Sequence, residues 1–165
     1  MVFTSTAAAY RYDFPVDTLI QRLKYGGQIA IAAYLADRLA EMLAAEAGPD
    51  LIVPMPLHRR RLTARGFNQA ALLAGRLSQR LGIPFEPEAC ERMRDTPPQV
   101  GLPVKARHKN IRGAFACRTD LSGRRVALVD DVMTSGASLN ELAMVVKRAG
   151  ASEVSAWVVA RATRD

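Results

Sequence analysis

The chain predicts an α/β domain with a mainly parallel central sheet flanked by helices, and three observations carry that expectation. Short apolar runs suited to buried strands, at residues 51–53, 126–129 and 154–160, alternate with longer stretches whose apolar residues recur at helical spacing. The 165 residues amount to one domain with room for a real core. Hydrophobic residues make up 49% and charged residues 24%, which excludes a disordered, collagen-like or coiled-coil chain.

Taken in order, the small-residue start is assigned no element, and residues 16–25 and 28–45 read as helices. The second carries Ile29, Ala32, Ala36, Leu39, Met42 and Leu43 on one face and stops at Gly48 and Pro49. Leu51-Ile52-Val53 ends at Pro54, as a buried strand leading into a loop does. The next helix shows Phe67, Ala70, Ala74, Leu77 and Leu81 along one face and closes at Gly82 and Pro84. Residues 84–93 are a weak strand candidate. Residues 95–104, with Pro97, Pro98, Gly101 and Pro103, form an irregular loop able to move over a ligand. Phe115-Ala116-Cys117 makes a short strand and 126–129 the clearest one. A helix over 136–149 bears Leu139, Leu142, Val146 and Ala149, and 154–160 closes the sheet with β-branched and aromatic residues. Ligands of such sheets bind at the carboxyl ends of the strands.

Charge and cysteine usage narrow the class. The net charge is +7, and two stretches free of acids carry eleven positive residues. These are Arg59, Arg60, Arg61, Arg65, Arg76 and Arg80 in the first, and Lys105, Arg107, Lys109, Arg112 and Arg118 in the second. They form either a solvated basic surface or the binding surface for a phosphate-rich partner, nucleic acid or a small polyphosphate. Cys90 and Cys117 have no CxxC or His/Cys cluster around them, so neither a disulfide framework nor a zinc site is expected, and both read as buried thiols of a cytoplasmic protein. The longest apolar run, residues 29–36, is far short of the roughly 18–20 residues of a membrane span.

The chemistry concentrates in Val126-Ala127-Leu128-Val129-Asp130-Asp131-Val132-Met133-Thr134-Ser135-Gly136-Ala137-Ser138. A buried strand delivers two carboxylates, and a turn of small residues then opens a helix. Small residues admit a phosphate to backbone N–H groups, and the helix terminus adds positive potential. Adjacent carboxylates are poor phosphate ligands but good acceptors for the two hydroxyls of a vicinal diol. A ribose 5-phosphate presents both groups. Because side chains alternate along a strand, Asp130 and Asp131 share one sugar only if the strand has ended before them. Local structure offers a second account: Ser138 and Glu141 match a capping box, and Asp-Asp also suits a turn or a magnesium site. A phosphoacceptor receiver domain also carries paired aspartates, but after its first strand, and without a helix opened by the phosphate loop.

This segment resembles the phosphoribosyl pyrophosphate (PRPP) signature of the type I phosphoribosyltransferases. The resemblance implies that fold, with a flexible hood loop at Arg94 to Asn110, and assigns Asp130 and Asp131 to the ribose hydroxyls and Met133, Thr134, Ser135, Gly136, Ala137 and Ser138 to the 5′-phosphate. Val53-Pro54-Met55-Pro56-Leu57-His58, Arg65-Gly66-Phe67-Asn68-Gln69, Leu23-Lys24-Tyr25-Gly26-Gly27, Thr96-Pro97-Pro98-Gln99 and Arg107-His108-Lys109-Asn110 are similar to the ComF competence-protein family, from about Tyr10 to the end. That family commonly begins with a cysteine-rich zinc segment, which is missing here, so zinc is not expected.

On the superfamily pattern, Met55, Pro56, Leu57 and Arg65 approach pyrophosphate, with Arg65 at the start of a helix. Asn68 and Gln69 either cap that helix or point into the site; Gln99 and Asn110 complete the family motifs. His58, Arg107 and Lys109 are the candidate catalytic groups, and Lys24 and Tyr25 have no role beyond packing or an interface. The resemblance implies a single domain over 1–165, with helices at 15–45 on or beside the core. It implies a phosphoribosyltransferase using Mg²⁺ brought by PRPP, without a direct protein ligand but near Asp130 and Asp131. The other reading is a DNA-uptake protein that binds nucleotide or single-stranded nucleic acid without catalysis. The implied partners are PRPP or another ribose 5-phosphate, single-stranded DNA or a DNA-uptake protein, and a second copy in a homodimer, with no membrane insertion.

Overall fold

Strands that are apolar on both sides need both faces of their sheet covered, and here helices do most of the covering. The computed structural model describes residues 1–44, 48–96 and 110–162. Four parallel strands, β1 (Ser5–Arg11), β2 (Leu51–Pro54), β5 (Arg125–Met133) and β6 (Glu153–Arg161), lie in the order β1-β6-β5-β2. A separate antiparallel pair joins β3 (Cys90–Arg92) to β4 (Phe115–Cys117), and the helices are α1 (Val16–Gly26), α2 (Ala30–Leu43), α3 (Arg59–Arg65), α4 (Gln69–Leu81) and α5 (Ala137–Arg148). Alternation assigns the faces. Val126, Leu128, Val154, Ala156 and Val158 pack with Leu139, Leu142 and Val146 of α5 and with Phe115. Ala127, Val129, Trp157 and Val159 pack with Ile20 and Leu23 of α1, Leu35 and Leu39 of α2, and Leu73 and Leu77 of α4. No described helix is long and apolar enough to cross a membrane.

The structure departs from the sequence expectations at several places. The small-residue start is a strand: β1 pairs with β6 from Ser5↔Ser155 to Arg11↔Arg161, with Ala7 and Ala9 on the face that α2 covers and Ala8 on the other, so that packing overrides weak local preference. The arginine cluster winds into α3, which buries none of its residues and so shows no apolar face. Of residues 84–93, only Cys90–Arg92 is strand, and it belongs to the small sheet. Cys90 is buried, as expected, while Cys117 is half-buried; both are free thiols and stand opposite each other across the small sheet.

Asp50 locks the start of β2 to the start of β5. Its Oδ1 accepts from Arg125 Nη2 and its Oδ2 from the Arg125 N–H, each at 2.9 Å. Those bonds hold its pKa down to about 2. A carboxylate depressed in the folded state adds stability above its unfolded pKa and loses it as pH falls toward the folded value. Asp50→Asn is therefore expected to lower Tm at pH 7, with the deficit shrinking between about pH 4 and about pH 2 in thermal unfolding followed by circular dichroism.

Candidate functional site

A parallel sheet opens a crevice at the carboxyl ends of its strands, and here the ends of β2 and β5 gather most of the residues singled out in the sequence. As far as Val129, β5 lies between two partners; the Val129 carbonyl accepts from the Met55 N–H at 2.8 Å. Beyond it β2 turns away at Pro54, while β6 goes on pairing to Met133↔Arg161. The strand therefore does not end before the acidic pair. Continued pairing with β6 keeps Asp130 and Asp131 inside β5, at the point where its other edge has been vacated.

Asp131 is 3% exposed. Its Oδ1 accepts from the Val132 N–H at 2.7 Å, and its Oδ2 lies 2.8 Å from Lys24 Nζ at the end of α1. Asp130 Oδ1 accepts from the Asp131 N–H at 2.9 Å. Asp130 also lines a cavity of about 100 Å³ with Thr134, Gly136, Ala137 and Ser138. Burial and then the repulsion of Asp131, only partly relieved by Lys24, push the Asp130 pKa up to about 7. Burial alone would lower the Lys24 pKa, but its bond to Asp131 and the pull of Asp130 leave it raised.

The turn after β5 is compact: Met133, Ser135, Gly136 and Ala137 are buried, Ser138 half-buried and Thr134 exposed. Gly136 caps α5 at φ 73°, a left-handed conformation that favours glycine, while a Cβ there would ask only the flexible Met1 side chain, 3.3 Å away, to shift slightly. The Ser138–Glu141 capping box does not form. The helix starts at Ala137, which puts Ser138 inside the first turn, and Glu141 Oε1 instead accepts from the Gly113 N–H at 2.7 Å.

On the other side of the crevice, Met55 and Pro56 are buried and Leu57 half-buried. Asn68 resolves its two options by capping and pinning at once: its Oδ1 accepts from the Ala70 N–H and its Nδ2 donates to the Met55 carbonyl, both at 3.0 Å. Arg65 ends α3 instead of opening a helix, since Gly66 at φ 87° terminates that turn. Its guanidinium donates to Gln69 and lies over the Tyr25 ring, 5.5 Å from the centroid. Lys24 and Tyr25 thus have partners the sequence did not reveal: one meets the acidic pair and the other the Arg65–Gln69 pair.

His58 caps α3, with Nδ1 accepting from the Arg60 N–H at 3.3 Å and lying 3.8 Å from Asp95. Arg61 donates to the Thr96 carbonyl at 2.6 Å, and Arg92 to the Thr96 hydroxyl. Arg92 escaped the sequence reading. It bridges to His58 in the backbone, lies over Phe115, and keeps a buried Nε with no acceptor among the described residues. Burial and then the nearby charge of Arg61 lower its pKa, against the pull of Asp130 and Asp95. Only its position shortly before the proline-rich segment pointed to it. Asn110 is half-buried beside the buried Ile111. Gln99, Arg107 and Lys109 lie outside the described residues. Among the described residues no three His, Cys, Asp or Glu side chains converge as a metal cage.

Comparison with known proteins bears on these motifs. The phosphoribosyl transferase domain family matches residues 68–165. Competence protein F of Haemophilus influenzae is 39% identical over 160 residues, which cover 92% of this chain and 70% of that protein. DNA utilization protein YhgH of Escherichia coli K12 is 37% identical over 156 residues, 91% of this chain and 69% of that one. Among solved structures, the glutamine PRPP amidotransferase from B. subtilis, complexed with ADP and GMP, superposes with a TM-score of 0.52 at 23% identity. That match covers 78% of this chain and 26% of the amidotransferase, and it is a likeness of fold.

The raised pKa of Asp130 has a thermodynamic consequence. The folded state holds a proton there that the unfolded chain releases near pH 4, so stability falls as pH rises from about 4 toward about 7. Asp130→Asn removes that loss. Its Tm is expected to exceed the parent's at pH 8 and to converge with it toward pH 4, by scanning calorimetry across that range.

Proposed function

The chain belongs to the phosphoribosyl transferase domain family, on its ComF-type competence-protein branch, and from that premise we propose that it binds PRPP with Mg²⁺ and transfers the phosphoribosyl group to a nitrogen nucleophile, releasing pyrophosphate. The observation that carries this reading is the cavity Asp130 shares with the turn that opens α5. A carboxylate and a helix N-terminus facing one small space suit a sugar hydroxyl and a phosphate of the same ligand.

In this reading the 134–138 turn holds the 5′-phosphate and Asp130 accepts from a ribose hydroxyl. The turn at Pro54-Met55-Pro56-Leu57, pinned by Asn68, takes the pyrophosphate, with Arg61 and Arg92 supplying positive charge nearby. The bond from C1 to the pyrophosphate oxygen breaks, its electron pair leaves with pyrophosphate, and the acceptor's nitrogen bonds to C1. The protein's part is positioning and charge stabilisation. Asp130 and Asp131 would be the acids nearest a Mg²⁺ ion brought by the diphosphate, which would supply charge neutralisation for the leaving group.

A second reading is favoured by α3, which leaves Arg59 and Arg60 exposed. The relatives named for competence and DNA utilization make single-stranded nucleic acid a candidate ligand for that helix. Aromatic residues, at 6%, provide few stacking platforms for it.

Calorimetry with PRPP separates the two readings. Binding that requires Mg²⁺ and weakens roughly 10- to 100-fold for each of Asp130→Ala and Asp131→Ala is the expected result, with pyrophosphate release from some member of a nucleobase and amine panel. Undiminished PRPP binding by the double variant would remove the carboxylates from the site. Failure to release pyrophosphate with every acceptor would remove catalysis. DNA binding that falls by orders of magnitude from 50 to 200 mM salt would favour the second reading.

A further inference from the structure

Asp131 is almost closed to solvent, and the cation that meets it is supplied from more than a hundred residues earlier in the chain, upstream of the matched 68–165 segment. We propose that Lys24 is a positioning residue of the sugar-phosphate site: by engaging Asp131 it divides the twin acids into one carboxylate committed to the protein and one, Asp130, that faces the ligand. The assignment rests on the functional reading above.

Three observations support the division. Asp131 Oδ1 accepts from the Val132 N–H at 2.7 Å and its Oδ2 lies 2.8 Å from the Lys24 ammonium, and at 3% exposure the carboxylate offers little surface for a diol to reach. Asp130 instead lines the cavity with the phosphate turn. The pair is sheltered, with side-chain exposures of 20% for Lys24 and 5% for Asp131, so water does not compete for the ammonium as it would at the surface. Lys24 is itself held in place. Ile20 and Leu23 anchor α1 in the core at 0% exposure, and Tyr25, the next residue, lies against Arg65 on the opposite wall of the crevice. The end of α1 thereby meets Asp131 through Lys24 and Arg65 through the exposed Tyr25 ring. A lysine at this point also shields two carboxylates that would otherwise repel each other and a phosphorylated ligand alike.

The test combines Lys24→Met, Lys24→Arg, Asp130→Asn, Asp131→Asn and the Lys24→Met/Asp131→Asn double variant, each followed by calorimetry with Mg²⁺ and PRPP and by thermal unfolding. Lys24→Met is expected to bind at least tenfold more weakly, Lys24→Arg to recover most of that loss, and the double variant to bind no worse than Lys24→Met. Asp130→Asn is expected to lose more affinity than Asp131→Asn. A role confined to stability would lower Tm and leave affinity untouched. Parent-like affinity in a folded Lys24→Met therefore overturns the assignment alone. Should Lys24→Met not fold, the two isosteric Asn variants decide, and equal losses from them overturn the division. A parent protein that binds no PRPP overturns the functional reading, and this assignment with it.

Discussion

Two carboxylates on consecutive residues at the end of a buried strand repel one another, and a crevice shielded from water makes that repulsion stronger than it would be at an open surface. Much of the site's construction answers this one constraint. Lys24 brings a cation to Asp131 from the end of α1, in the connection between β1 and β2. Asp130 is left near neutrality, with a pKa of about 7. Removing one member of a buried ion pair typically costs about 3–5 kcal/mol, so the same contact that makes the acids tolerable also fastens α1 to the carboxyl end of β5.

Around that centre, polar side chains that bond to main-chain groups elsewhere hold the loops. Asn68 caps α4 and grips the Met55 carbonyl. Glu141 reaches from α5 to the Gly113 N–H ahead of β4, and Arg61 and Arg92 converge on Thr96, where the proline-rich segment begins. The bonds to the main chain at Met55, Ala70, Gly113 and Thr96 satisfy groups that would otherwise need water, and Arg92 adds one to the Thr96 hydroxyl. Among the described residues Arg92 Nε is buried without an acceptor.

How far these features could be read beforehand follows from their physics. The strand–acid–turn–helix segment was legible because its signals are local: an apolar run, two adjacent acids, small residues and a helical period all fall within about twenty consecutive positions. The cores of α2, α4 and β6 were legible for the same reason. Strand β1 was not, since Ala7-Ala8-Ala9 carries no strand preference of its own and becomes one only against β6. Helix α3 was hidden because none of its residues is buried, leaving no periodic face. The partnership of Lys24 with Asp131 and the convergence of Arg61 and Arg92 on Thr96 are facts of tertiary placement, and nothing in the spacing of those residues encodes them. The length of β5 was misjudged for a related reason: its last four residues persist as strand through pairing with β6 after β2 has left.

The order β1-β6-β5-β2 also sets a schedule for how the molecule is made. Strand β1, the earliest strand of the described sheet, pairs with β6, the latest, Ser5 opposite Ser155, so the sheet acquires its outer member only after β6 has been made. Contacts this distant in the chain carry a large loop-closure entropy and form slowly.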